Sequence, residues 1–348
     1  MQDAGAWRGV TLDNREAAVG CCPGFLEGFE SGEVLANAYT VGTRGSALAL
    51  AQTAMVMGEL LRRIGGLELT RQVVRTSGDQ NLDVPLSAVG AEGVFVKELE
   101  HALLTGEIDL AVHSLKDLPT ASDPRLAIAA ILPRADCRDA LIAPGRHGLS
   151  ELADGSVIGT GSLRRRAQLV RINPTWRFKD IRGNLDTRLA KLRAGDYDAV
   201  ILACAGLDRL GRSHVISERL PYSAVLPAPG QGAIAVQIRA QDSVLAEIVG
   251  VLDDPATRKA VEAERALLAA VGGGCLVPLG AHAELHGDHL VLDAVLASED
   301  GSQIVRGRME GPGAKPRELG AALGADLMER GGKTILAQLR LPEPGKRP

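Results

Sequence analysis

Apolar residues recur along the chain in two rhythms, short unbroken runs and helical spacings, and their alternation predicts the fold class. From Tyr39, "YTVG" reads as a strand, followed by the loop "TRGS". Leu50, Ala54, Met57, Leu61 and Ile64 then fall at helical spacing until Gly65 and Gly66 stop the pattern. "LELTRQVVRT" reads as the next strand, and "GVFVKELEHALLTGE" as a helix with Phe95, Leu99, Ala102 and Leu103 on one face. "IDLAVHS" and "LAIAAIL" are apolar runs of the kind buried in parallel sheets. Near Ser156 the order starts again. "SVIGTGSLRRRAQLVRI" is strand, G-T loop and helix, echoing "VGTRGSALALAQ". "FKDIRGNLDTRLAKLRAGDYDAVILACAGL" is strand, loop, helix and strand, with Leu185, Leu189 and Leu192 as the helical stripe.

Strands alternating with helices predict an α/β fold with doubly wound parallel sheets, and the echo predicts two similar domains. Two proline-bearing segments, 132–137 and 226–232, read as crossovers between them, with "AIAVQIR" returning to the first sheet. The remainder differs. Asp254 and Pro255 open a helix that runs to about Ala270. A hairpin, "AHAELHGDHLVLDAVLA", and a helix around 315–331 complete a small α+β domain. The expected division is an extension at 1–38, an α/β domain at 39–132 plus 233–250, a second at 138–226, and the α+β domain at 255–348.

Composition narrows the function classes. The chain has 348 residues, a net charge of −4 and only 3% aromatic residues, which speaks against stacking platforms for single-stranded nucleic acid. There is no apolar run of ~18 residues, so no membrane-spanning helix is expected. The first 38 residues carry six acidic side chains, unlike a signal or transit peptide, and are expected to be poorly ordered; a cytoplasmic protein is the expectation. Five cysteines without a C-x-x-C pair fit a reducing compartment.

Charge is unevenly placed. From Arg164 to Arg193 there are eight Arg and two Lys against two Asp, a local +8. Arg164 and Arg165 follow Ser162 in a helix's first turn, and Arg182 and Arg188 flank the loop "RGN". In open α/β sheets ligands bind at the carboxyl ends of strands, where these loops fall. Guanidinium forks match carboxylates, so a ligand bearing several carboxylates is expected, with Arg44 in the matching loop of the first domain. Nucleic acid is the weaker reading, because no recognition-helix, zinc or RNP signature is present. "VHSLKDLPT" ends a buried strand in Ser114, Lys116 and Asp117, either a surface turn or a carboxylate that stabilises a developing cation.

"AVGGGCLVPLG" sets Cys275 behind three glycines. A buried, inert thiol is the commonest fate of a cysteine, but the glycines suit a displayed one better. No metal is expected: His282 and His286 have a ligand-like spacing, yet on a strand they would lie ~13 Å apart.

Seven stretches together, "TRGSALALAQ", "GVFVKELEHALLTGEIDLAVHSLKDLPT", "GTGSLRRRAQL", "IRGNLDTRL", "YDAVILACAGLDRLG", "LPAPGQGAIAVQ" and "GGGCLVPLG", resemble the porphobilinogen deaminase (hydroxymethylbilane synthase) family, in unbroken order from about 39 to about 340. The resemblance implies two domains like those of type II solute-binding proteins plus a small α+β domain. It implies that Cys275 holds a dipyrromethane cofactor by a thioether, onto which four porphobilinogens are added with loss of ammonia before water releases hydroxymethylbilane. Asp117 matches the catalytic aspartate. Cys275, Ser114, Lys116, Asp117, Thr160, Ser162, Arg164 and Arg165 match cofactor-binding positions. Arg44, Ser46, Gln52, Arg182, Arg188, Arg209 and Gln231 match substrate-binding ones. A monomer is expected, since one cleft supplies every part, with the growing pyrrole chain as its partner and neither nucleic acid nor membrane.

The sequence departs from the family in one loop. Where relatives usually carry lysines before "FVKELE", this chain has Ala88 and Glu92, which puts the loop's part in substrate capture in doubt. The competing reading is a two-lobed carboxylate-binding protein without catalysis; it needs no displayed cysteine and usually carries an export signal.

Overall fold

Each of the two strand–helix series forms a five-stranded sheet, and a three-stranded sheet follows. The computed structural model describes residues 38–76, 96–121, 123–274 and 277–339. The first sheet comprises β1 (Ala38–Thr43), β2 (Glu68–Val73), β3 (Leu110–Ser114), β4 (Leu126–Ile131) and β10 (Ile234–Arg239), in the order β2-β1-β3-β10-β4. The second comprises β5 (Asp139–Ile142), β6 (Val157–Gly159), β7 (Arg177–Lys179), β8 (Ala199–Ala203) and β9 (Glu218–Arg219), in the order β7-β6-β8-β5-β9. The orders are equivalent, as the sequence echo implies.

Neither sheet is all-parallel, which corrects the expectation from strand–helix alternation. β1 runs parallel to β2 and β3, and β6 to β7 and β8, but β10 is antiparallel to both its neighbours and so is β5. The reason lies in the crossovers. Ile234 pairs with Ser114 at the carboxyl end of β3, and Asp139 pairs with Ala203 at the carboxyl end of β8. Each crossover thus delivers its strand to the carboxyl edge of the other sheet, from which the strand can only run backwards. The same geometry brings both carboxyl edges to the crossovers. β5 and β9 were not anticipated: "DALI" and the two residues of β9 are too short to show a period.

Helices α1 (Ala47–Arg63) and α2 (Lys97–Thr105) flank the first sheet; α3 (Leu163–Leu169), α4 (Leu185–Arg193) and α5 (Cys204–Arg209) follow strands of the second. Leu99, Ala102 and Leu103 of α2 are buried as expected, whereas Phe95 lies outside the described residues. The stripe predicted for α1 is displaced. The buried residues are Ala49, Gln52, Thr53, Val56 and Leu60, while Leu61 is exposed. Two polar residues on the inner face hid the pattern: Thr53 Oγ1 donates to the Ala49 carbonyl at 2.9 Å, and Gln52 Nε2 donates to Ser114 Oγ at the end of β3 at 2.9 Å.

After α6 (Ser243–Gly250), the side chain of Asp254 accepts from Thr257 N at 2.7 Å and opens α7 (Pro255–Ala270), as the Asp-Pro pair predicts. The hairpin β11 (Leu279–His286) and β12 (His289–Ala297) turns where "HGD" predicts, with His286 opposite His289. A third strand, β13 (Ile304–Pro312), escaped prediction, because this edge strand exposes charged residues along one side. Helices α8 (Pro316–Leu327) and α9 (Lys333–Gln338) close the chain's described part. Leu267, Leu290, Leu292, Leu296, Leu323 and Leu327 form the core of this region; each large side chain removed from water contributes ~1.5–3 kcal/mol before entropy is subtracted. Among the described residues no helix is long and apolar enough to cross a membrane.

Candidate active site

The carboxyl edge of the first sheet carries a pocket lined by Arg44, Ser46, Gln52, Ser114 and Asp117, with His113 in its wall. The local sequence explains the arrangement. Ser46 accepts from Ala49 N at 3.3 Å and so caps α1, which aims the "TRGS" loop across the end of β1. Gln52, on the inner face of α1, exchanges two hydrogen bonds with Ser114: its Nε2 donates to Oγ at 2.9 Å, and Oγ donates back to Oε1 at 3.1 Å. One helical turn, Leu115–Asp117, follows β3, and fully buried Leu115 anchors it. Lys116 and Asp117 thereby emerge half-buried at the strand's end.

The opposite edge is organised by Asp139, fully buried at the start of β5. Its Oδ2 accepts from Arg164 Nη1 and its Oδ1 from Arg165 Nη2, both at 2.7 Å. Burial pushes this carboxyl up, but the two guanidinium groups override it and hold it far below the usual range. Arg165 Nη1 also donates to the Ile201 carbonyl, and Arg164 Nη1 to that of Leu226. Gln231 on the second crossover joins the two edges. Its Nε2 donates to Asp139 Oδ1 at 2.9 Å and its Oε1 accepts from Lys116 Nζ at 3.4 Å. Sequence reasoning missed Asp139, because its partners stand 25 and 26 positions away and no local motif marks it.

One carboxylate does not balance this set. Arg165 Nε and Arg209 Nε are buried without an acceptor among the described residues. Arg188 donates Nε to the Gly183 carbonyl at 2.9 Å, and its ionisation is pulled down to about 10 by burial first and then by Arg165 and Arg182. Lys116 is lowered as well: burial dominates, Asp117 and Asp139 oppose it, and Arg165 and Arg164 reinforce it. Arg209 meets the second crossover by donating to the Gly232 carbonyl at 2.6 Å. Thr160 Oγ1 accepts from Ser162 N at 3.2 Å and Ser162 Oγ from Arg165 N at 3.4 Å, so both hydroxyls shape the loop before α3. Such a surplus of buried and half-buried cations is stabilised by multiple carboxylates.

Cys275, Ala88 and Glu92 lie outside the described residues, as do 1–37 of the extension; Ala38 already belongs to β1. The segment after Cys275 is tied to the second crossover. Ala281 N donates to the Pro227 carbonyl at 2.9 Å, and a Cβ on Gly280 would stand 2.9 Å from both Leu226 Cβ and its carbonyl oxygen. Glu264 of α7 strengthens the junction. Its carboxylate accepts from both Nη atoms of Arg134 (2.6 and 3.0 Å), from Gly230 N at 2.7 Å and from Ala283 N at 2.8 Å.

Residues 39–247 match the family model "Porphobilinogen deaminase, dipyromethane cofactor binding domain", and 258–329 match "Porphobilinogen deaminase, C-terminal domain". The chain belongs to the porphobilinogen deaminase family. Among curated porphobilinogen deaminases, that of Roseiflexus castenholzii is 48% identical over 301 residues, covering 86% of this chain and 99% of its own. That of Acidothermus cellulolyticus is 50% identical over 300 residues, covering 85% and 90%. Solved structures outside the porphobilinogen deaminases overlap part of the chain. A double mutant of the BvgS VFT2 domain of Bordetella pertussis (17% identity, TM-score 0.40) covers 62% of this chain and 86% of its own. A probable amino-acid ABC transporter extracellular-binding protein of Bacillus subtilis (12%, TM-score 0.39) covers 62% and 89%. The porphobilinogen deaminase cofactor-domain match spans both five-stranded sheets and both crossovers, hence every described residue of the site.

Proposed function

We propose that this chain is a hydroxymethylbilane synthase, which joins four porphobilinogen molecules head to tail with loss of ammonia and releases hydroxymethylbilane by hydrolysis. One observation carries the reading beyond family membership: a pocket holding Asp117 stands beside a cation cluster that the described carboxylates do not balance. Each pyrrole unit brings an acetate and a propionate, so a growing chain needs many guanidinium groups and few acids. The donor set fits a dipyrromethane for the same reason, with Ser114, Lys116, Thr160, Ser162, Arg164 and Arg165 gripping its carboxylates and Cys275 as the attachment. When bound, that group supplies the electron-rich pyrrole carbon from which the product chain starts.

The protein's own share is binding and charge placement. Asp117 accepts hydrogen bonds from pyrrole N–H groups and stabilises the cation left on the substrate once ammonia departs. Arg44, Ser46, Gln52, Arg182, Arg188, Arg209 and Gln231 orient the incoming porphobilinogen through its acid arms. No protein nucleophile is needed at the reacting carbon. The segments 39–132 with 233–250, 138–226 and 255–348 act as three domains of a cytoplasmic monomer that binds neither nucleic acid nor membrane. The test is incubation of the purified protein with porphobilinogen. Release of one ammonia per pyrrole consumed, with a linear tetrapyrrole as product, is expected. Reversible binding of porphobilinogen without ammonia would instead establish a carboxylate-binding protein.

A further inference from the structure

His113 is a buried polar residue of the pocket wall to which the proposed function gives no task. It lies on the α2 face of the first sheet. Its cross-strand partner is Ala235, and Gln237, two residues further along β10 and on the same face, is its diagonal neighbour opposite Ala111. The two alanines leave room for the imidazole and the amide to meet. Gln237 Nε2 donates to Glu100 Oε1 at 3.0 Å, so the carboxylate fixes the amide's orientation and turns Oε1 into the acceptor available to the ring. His113 Nε2 and Gln237 Oε1 are both buried, and neither has a hydrogen-bond partner among the described residues. A proton on Nε2 shared with Oε1 would satisfy both atoms. The ring stays neutral: burial first, with the charge of Arg44 added, outweighs the opposing pull of Gln237 and holds its ionisation down to about 4. With Nε2 sealed in the protein, Nδ1 is the nitrogen left for the pocket.

The geometry points to His113 as a positioning residue whose tautomer is set by Glu100 through Gln237, so that Nδ1 offers a fixed lone pair to an N–H donor of the pyrrole substrate. This rests on the proposed function. A neutral acceptor beside Arg44 suits a pyrrole or aminomethyl nitrogen and not a carboxylate, so it would discriminate the reacting end of porphobilinogen from its acid arms. No proton leaves the ring; it sorts orientation.

The test combines spectroscopy and kinetics on the full-length protein. Two-bond ¹⁵N–¹H correlation spectra of histidine-labelled protein should show His113 neutral and protonated on Nε2 at pH 7, and Gln237→Leu should lose that single tautomer. His113→Leu should raise KM for porphobilinogen about tenfold, as expected for one lost hydrogen bond, while kcat changes less than about twofold. His113→Asn, whose Oδ1 stands near the Nδ1 position, should recover most of the loss. An Nδ1-protonated or cationic ring in the wild type, or an unchanged KM in His113→Leu, would overturn the proposal. Should His113→Leu not fold, the Gln237→Leu spectrum and KM decide alone. Wild-type protein that turns over no porphobilinogen would instead overturn the enzymatic reading, and is seen before any variant is compared.

Discussion

Gln231 Nε2 donates to Asp139 Oδ1 at 2.9 Å, and this bond makes the two carboxyl edges one polar network. Lys116 enters it from the first sheet through Gln231, and Arg164 and Arg165 from the second through Asp139. A ligand gripped by Lys116 and the arginines therefore touches both sheets, and the crossover that carries Gln231 is where they join.

Asp139→Asn should destabilise the fold by ~3–5 kcal/mol, since it leaves two buried guanidinium groups uncompensated. The sign of the pH dependence follows from the carboxyl being held far down in the folded protein. Its stabilisation is present above the unfolded value of ~3.9 and is lost as pH falls toward the folded one. Urea titrations should show the gap between wild type and variant widest at neutral pH and shrinking below pH ~4. A gap that stays constant down to strong acid would contradict the assignment.

Arg188→Gln separates function from stability. The arginine is half-buried, and desolvation first, then Arg165 and Arg182, pull its ionisation down to about 10, so at neutral pH the apoprotein works against its own charge. The variant should melt no lower than wild type in the absence of ligand. Its KM for porphobilinogen should rise about tenfold to a hundredfold, the cost of a lost charge-assisted hydrogen bond. Loss of melting temperature with unchanged KM would make Arg188 a structural residue.

Gly280→Ala tests the seat of the Cys275 loop. The added methyl would meet Leu226 Cβ, the Leu226 carbonyl and Val295 Cγ1, each at 2.9 Å, none of which is the end of a long side chain. Overpacking of this kind costs about 1–3 kcal/mol and displaces the backbone. Denaturation should record the loss, and the cofactor content of the variant should fall with it. A variant as stable and as fully loaded as wild type would show that the close approach to Leu226 is unimportant.

If Asp117 acts on the substrate's charge as proposed, Asp117→Ala should abolish turnover even with the cofactor assembled. Absorbance after Ehrlich's reagent reports the bound pyrroles, and ammonia release reports turnover. An active Asp117→Ala enzyme removes the role assigned to it.

Much of this organisation is legible in the residues themselves. Asp254 and Pro255 place the start of α7, and "HGD" places the hairpin turn, because caps and tight turns are local chemistry. The G-T loops mark helix starts in both halves for the same reason. What stays hidden depends on distant partners. The α1 stripe misleads because Gln52 is buried for the sake of Ser114, 62 positions away. The antiparallel direction of β5 and β10 follows from where the crossovers arrive, which no local period records. Asp139 and Glu264 look like ordinary acids in the sequence; only the fold surrounds each with its donors.

On the proposed function, the thiol of Cys275 carries a permanent oligopyrrole. Intact-protein mass spectrometry of the purified chain tests it most directly, with Cys275→Ser as the control. A mass excess of two condensed pyrrole units is expected, localised to the peptide containing Cys275 and absent from a folded Cys275→Ser variant. A wild-type mass equal to that of the bare sequence, in a protein that nonetheless consumes porphobilinogen, would contradict it.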